Sequence, residues 1–205
     1  MKIRTYGNKE SSIVIIQPMM EDESIPLELK EVMFISIIID DWNQELSPWY
    51  CKAVFGKQDF GDGAKDTLNE MLKLCNDPNK HYYLGGYSLA GLFSLWCATQ
   101  TDVFEGIISC SPSVWFVDFV EYIKKHPLKT DKVYLSLGKQ ESKTRNKVMA
   151  TVSDKIQECK KILDEQNIPS VLEWNDGNHF TDPEGRMKKG YQWILKDALT
   201  SDIDV

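Results

Sequence analysis

Six short runs of β-branched and aromatic residues, spaced by longer segments of helical periodicity, constrain this chain more than any other feature. They are Ile13-Val14-Ile15-Ile16 and residues 32–39, 82–86, 106–109, 132–137 and 170–174. Apolar runs without alternation suit strands covered on both faces, the environment of a parallel sheet. Between the runs, Ala64, Leu68, Met71, Leu72 and Cys75 share one helical face, and residues 89–99 form a second helical segment. Val148, Val152, Ile156, Cys159 and Leu163 make a third stripe, stopped before Pro169. Met187, Tyr191, Ile194, Leu195 and Ala198 make a fourth, with Pro183 near its start, where a missing N–H costs nothing. Strands alternating with helices predict an α/β fold with a mainly parallel sheet flanked by helices.

With 205 residues, 42% of them hydrophobic, the chain is long enough to bury one sizeable core. No linker-like stretch or internal repeat divides it, so one domain over residues 1–205 is expected. Acidic residues outnumber Lys plus Arg, 31 to 24, which leaves a net charge of −7 and a pI near 5.1. A duplex-binding surface needs a basic patch, so no nucleic-acid partner is expected. The opening residues, through Ser12, lack the apolar core of a secretory signal, and the longest apolar runs are far too short to span a bilayer. Five scattered cysteines, Cys51, Cys75, Cys97, Cys110 and Cys159, with no CxxC, suit free thiols in a reducing cytoplasm. The expected location is cytoplasmic, with no membrane partner.

Gly85-Gly86-Tyr87-Ser88-Leu89-Ala90-Gly91 follows a strand run and opens a helical one. Small residues two before and two after a serine are what a tight strand-to-helix turn requires, because larger side chains there would clash. Such a turn holds the serine in a strained conformation, with its hydroxyl projecting from the sheet edge. The next N–H, of Leu89, then faces a developing oxyanion, aided by the helix N-terminus. Ala90 stands where the G-x-S-x-G pattern has its second glycine. The alternative role for Ser88 is a plain helix cap. The segment fits neither a dinucleotide-binding nor a P-loop pattern.

A serine nucleophile needs a base, and the chain has three histidines. Sites in parallel sheets gather at the carboxyl ends of the strands. His81 and His126 precede strand runs and so fall at the wrong end; His179 follows the last run and falls at the right one. The acid that orients the imidazole is expected between serine and histidine in chain order. Glu141, just beyond the run 132–137, is favoured, with Asp176 and Asp182 as competitors.

Together these segments resemble the esterase group related to enterochelin esterase and esterase D, within the α/β-hydrolase superfamily. The resemblance runs from about Ile13 to the last helical stripe. Its carriers are Asp41-Trp42-Asn43 with Ser47-Pro48-Trp49, then Gly86-Tyr87-Ser88-Leu89-Ala90-Gly91-Leu92 and Ser111-Pro112-Ser113-Val114-Trp115. Leu137-Gly138 with Glu141 and Gly177-Asn178-His179-Phe180 complete it. The resemblance implies Ser88 as nucleophile, Glu141 as acid, His179 as base and the Leu89 N–H as one oxyanion donor. It places the second donor in the loop after the first run. That loop reads Gln17-Pro18-Met19-Met20 where many relatives have His-Gly. Pro18 has no N–H, so the Met19 N–H is the expected donor. Little sequence is left for a lid.

Trp42, Trp49 and Trp115 all follow strand runs toward the Ser88 edge and are candidate walls of a substrate pocket, with core packing as the alternative. Arg145, just past Glu141, is a candidate partner for a carboxylate at the site, or a surface ion pair. No cluster of metal-ligating residues is apparent, and the chemistry needs no metal or cofactor. The expected function is hydrolysis of a small-molecule carboxylic ester through an acyl-enzyme. The alternatives are acyl transfer to an acceptor other than water, and a non-catalytic binding protein of the same fold.

Overall fold

The computed structural model describes residues 2–25 and 30–196. Seven strands form one sheet: β1 (Lys2–Gly7), β2 (Ile13–Met19), β3 (Met33–Ile38), β4 (His81–Tyr87), β5 (Phe104–Cys110), β6 (Lys132–Gly138) and β7 (Ser170–Asn175), in the order β1-β3-β2-β4-β5-β6-β7. Every neighbouring pair from β3 to β7 is parallel; β1 alone runs antiparallel, along β3. The six expected runs are the six parallel strands. β1 escaped notice because its side chains are mostly exposed at the sheet edge, which leaves no apolar pattern to read.

The helices are α1 (Trp42–Glu45), α2 (Ala64–Leu72), α3 (Leu89–Gln100), α4 (Phe119–Lys125), α5 (Val152–Glu165) and α6 (Pro183–Leu195). The four expected stripes became α2, α3, α5 and α6. Cys75 lies in a turn beyond the end of α2, and a short 3₁₀ turn, Met149–Thr151, leads into α5. Ala198 lies outside the described residues. α1 and α4 are too short to build a periodic signal of their own.

α3 is buried from Leu89 through Thr99, which is why its sequence shows no polar face. It packs with α2, α4 and α5 on one side of the sheet; α6 covers the other, where Tyr191 and Ile194 meet Phe34, Tyr83 and Ile108. Burying each such large apolar side chain stabilises the fold by roughly 1.5–3 kcal/mol. Pro18 lies inside β2 without costing a ladder bond. Pairing with β4 ends at Ile16, and Pro18 faces that side, so no partner there waits for an N–H. All five cysteines are free. No described helix is long and apolar enough to cross a membrane.

Candidate active site

The turn between β4 and α3 sets the site. Ser88 has φ 58° and ψ −121°, a conformation that costs an L-residue about 1–3 kcal/mol. Its own backbone is pinned from three directions. The Ser88 N–H donates to the Cys110 carbonyl (3.0 Å), while the Ser88 carbonyl accepts from the N–H groups of Leu92 and Ser113 (3.1 Å each). The glycine two before the serine is obligatory: a Cβ on Gly86 would fall 2.2 Å from the Ala90 carbonyl oxygen.

From this turn a line of polar contacts crosses the carboxyl edge of the sheet. Ser88 Oγ is 3.1 Å from His179 Nε2, and His179 Nδ1 is 2.8 Å from Glu141 Oε2. Glu141 sits in the turn after β6 and His179 in the loop after β7. The Glu141 side chain is 4% exposed. Burial pushes its carboxyl up, but contacts with His179, the Gly138 N–H and the Ser111 hydroxyl outweigh that and hold it below the usual carboxylate range. Its second oxygen, Oε1, accepts from the Gly138 N–H (2.7 Å), Ser111 Oγ (2.7 Å) and Arg186 Nη1 (2.8 Å).

The competing acids are occupied elsewhere. Asp176 is exposed and 2.7 Å from Lys139 Nζ, which lowers its carboxyl. Asp182 caps α6, accepting from the Gly185 N–H (3.0 Å). The other two histidines are remote from Ser88: His81 contacts Glu105, and His126 stacks on Tyr122.

Two clefts open from Ser88 and His179. One, of about 510 Å³, is lined by Gln17, Met20, Trp42 and Tyr87 together with the carboxylates Asp22, Glu23 and Glu184. The other, of about 650 Å³, is lined mainly by Trp42, Phe55, Trp115, Met149 and Phe180, with Lys57 as its charged residue. Met20, Trp42 and Phe180 belong to both clefts; the Phe180 ring, 85% exposed, stands edge-on to His179 at their mouth.

Two expected site residues are corrected. Trp49 lines neither cleft. It packs on Phe116 and Tyr122 and donates its indole N–H to the Val117 carbonyl (3.2 Å), because the chain after α1 turns back over α4. Met19 is the last residue of β2, and its carbonyl accepts from the Ile39 N–H (3.0 Å) on the β3 side. Within a strand residue the N–H points the same way as the C=O, so the Met19 N–H also faces β3, away from Ser88. The next residue, Met20, lies beyond the end of β2 and borders both clefts, and its carbonyl accepts from the Glu23 N–H (3.3 Å). Trp115 lines the second cleft but is largely core, 6% exposed and packed against Phe55 and Phe60. Arg145 is exposed and lines neither cleft.

The arginine that meets Glu141 is Arg186, which sequence reasoning missed. The signal was present: Arg186 shares the buried face of α6 with Gly190 and Ile194 at four-residue spacing. A cation on a buried stripe implies a buried partner. Tyr87 was also passed over. Its hydroxyl donates to the His179 carbonyl (2.6 Å) and accepts from Arg186 (3.2 Å). Among the described residues, no group of three or more His, Cys, Asp or Glu side chains is placed to hold a metal.

The sheet order, the strained serine turn and the helices on both faces define the α/β-hydrolase fold. Several solved structures share it. Enterochelin esterase from Shigella flexneri aligns with a TM-score of 0.71 at 16% identity, over 96% of this chain and 54% of that one. Siderophore hydrolase EstA from Aspergillus nidulans aligns at 0.64 and 14% identity, over 95% and 94%. The capsule O-acetyltransferase of Neisseria meningitidis serogroup A aligns at 0.60 and 13%, over 95% and 91%. No family model and no curated protein sequence matches the chain.

Proposed function

We propose that the chain is a single-domain serine hydrolase that cleaves a carboxylic ester through an acyl-enzyme. The observation that carries this reading is the line Ser88–His179–Glu141, at 3.1 and 2.8 Å, starting from a strained serine at a strand-to-helix turn. A helix cap has no need of such a line. In the proposed reaction His179 Nε2 takes the Ser88 proton as Oγ attacks the ester carbonyl. Glu141 holds Nδ1–H and stabilises the imidazolium that forms. The Leu89 N–H, at the start of α3, and the Met20 N–H are assigned to the oxyanion. His179 then protonates the leaving alkoxide, and a water activated by the same imidazole frees the acid and regenerates Ser88.

The two clefts suit a two-armed ester, with an apolar or aromatic arm among Phe55, Trp115 and Met149. The Shigella and Aspergillus structures named above, an esterase and a siderophore hydrolase, support hydrolysis of this kind. The second cleft also leaves room for an acceptor other than water, and the capsule O-acetyltransferase shares the fold. The test is labelling with a fluorophosphonate probe, alongside a panel of chromogenic esters of varied acid and alcohol, with added alcohols as competing acceptors. Wild type should label and turn over, and Ser88→Ala should do neither while staying folded. A folded Ser88→Ala protein with wild-type turnover refutes the reading. Ester exchange exceeding hydrolysis would make it an acyltransferase.

A further inference from the structure

Arg186 is among the largest fully buried side chains, 2% exposed, and it sits behind the proposed acid and base. Nη1 donates to Glu141 Oε1 (2.8 Å), Ser111 Oγ (2.8 Å) and the Tyr87 hydroxyl (3.2 Å). Nη2 donates to the carbonyls of Asp176 (3.1 Å) and Asn178 (2.8 Å), the latter belonging to the residue before His179. One planar group thus touches the acid turn after β6, the base loop after β7, the strand that leads to the nucleophile and the end of β5.

We propose that Arg186 is a positioning residue for the Ser88 chemistry: its guanidinium clamps the Glu141 carboxylate and the His179 loop in one mutual geometry. This rests on the serine hydrolase reading above. Backbone bonds already join the two loops, Lys139 N–H to the Asn175 carbonyl (2.9 Å) and Gln140 N–H to the Gly177 carbonyl (3.0 Å). They fix the main chain at Asn175 and Gly177, and the Thr181 N–H reaches the Asn178 carbonyl (3.1 Å) from within the loop, but none of these bonds ties the Glu141 carboxylate to the peptide before His179. Arg186 addresses both. Together with Ser111 and Gly138 it occupies Oε1, so the carboxylate presents Oε2 to the imidazole. Its other amino group holds the Asn178 carbonyl, which sets where the ring is carried. Only a fork with two donor arms spans these partners; an ammonium at the same place is a point donor and serves one side or the other.

The guanidinium also sets the charge beside the base. Around the Glu141–His179 pair stand Arg186 from α6, Tyr87 from β4, Cys110 from β5, and the exposed Lys139–Asp176 pair from the loops after β6 and β7. Asp22, Glu23 and Glu184 line the cleft in front. Removing the Arg186 charge leaves Glu141 uncompensated and makes the imidazolium easier to form, so activity then requires a higher pH. Geometry and charge are therefore separable by choice of substitution.

The experiment compares wild type, Arg186→Lys and Arg186→Met by fluorophosphonate labelling rate, by kcat and KM on one chromogenic ester, and by pH profile. Arg186→Lys keeps the charge and loses the fork. It should cut labelling rate and kcat by about tenfold to a hundredfold, with KM within about threefold and the rising limb unmoved. Arg186→Met should lose more and move the limb to higher pH. A side chain that only supports the fold would lower the melting temperature and leave kcat and the limb of the folded protein unchanged; that result overturns the proposal. If neither variant folds, Ser111→Ala removes a neutral donor to the same Oε1, and kcat should fall severalfold; an unchanged kcat there also overturns it. A wild type that resists the probe overturns the hydrolase reading and the clamp together. A reactive wild type matched by Arg186→Lys overturns the clamp alone.

Discussion

Replacing Glu141 by glutamine isolates one proton. The amide has one acceptor and one donor face where the carboxylate has two acceptors. At the Oε1 position three donors converge, from Gly138, Ser111 and Arg186. At Oε2 the one contact among the described residues is with His179 Nδ1. The amide oxygen therefore stays at Oε1 and the NH₂ faces the imidazole. A donor there forces Nδ1 to accept, so the ring proton moves to Nε2, which then points a hydrogen at Ser88 Oγ and has no lone pair to take its proton. The same acid-to-amide change in a serine protease costs about 10⁴ in kcat, or about 5.4 kcal/mol of transition-state stabilisation. Glu141→Gln should lose about that much kcat on a chromogenic ester, with KM within about fivefold. The buried Arg186 also loses its counter-charge, so the variant should be less stable by about 3 kcal/mol. Stopped assays on protein shown by circular dichroism to be folded provide the measurement. A folded Glu141→Gln enzyme within tenfold of wild type refutes the role of Glu141, whatever its distance to the ring.

Other perturbations test separate parts. Ser88→Gly should abolish labelling yet raise the unfolding free energy by about 1 kcal/mol, since glycine adopts φ 58° without strain; a lower melting temperature would contradict the strained turn. The Glu141 carboxyl is held below its ordinary 4.5, so its contribution to stability is complete above that value and lost as pH falls through the lower native value. Denaturant titrations below pH 4.5 should therefore show a steeper acid loss for wild type than for Glu141→Gln. Met20→Pro removes the N–H assigned to the oxyanion and should lower kcat by about 10²–10³, whereas Met20→Ala keeps it and should change kcat little. Equal effects of the two would move the second donor elsewhere.

How much the sequence disclosed follows from where each signal was stored. The parallel strands were legible because both their faces are buried, so nearly every residue of Ile13–Met19 or Met33–Ile38 is apolar. β1 was not, because an edge strand exposed on most positions carries no such record. The placement of Ser88 and His179 side by side at the carboxyl edge was legible because local sequence builds the turn and because strand direction sorts three histidines by sheet end. Glu141 was harder to choose, since all three carboxylates lie at the same edge and only contacts separate them. Met19 was misassigned because strand length decides which N–H faces which neighbour, and β2 runs three residues past the apolar run 13–16. Trp49 was misplaced for a similar reason: position after a strand gives the sheet end but not the direction of the loop. Arg186 shows a signal that was present and overlooked, a cation on the buried stripe of an amphipathic helix.

The one antiparallel strand has a consequence for handling the protein. β1 pairs along the whole of β3, from Gly7 opposite Met33 to Lys2 opposite Ile38, and β3 is apolar almost throughout. β1 itself is short and carries Lys2 and Arg4, both of which pair with Glu21. Charged residues on a border strand discourage pairing with a second molecule. Cutting back the first eight residues would remove that border and offer an unpaired apolar β3 as a template for self-association. A truncated protein should therefore precipitate or form fibrils even though every residue of the proposed machinery is intact. For the same reason, an affinity tag at this end that draws the first strand out of register would cost solubility before it cost activity.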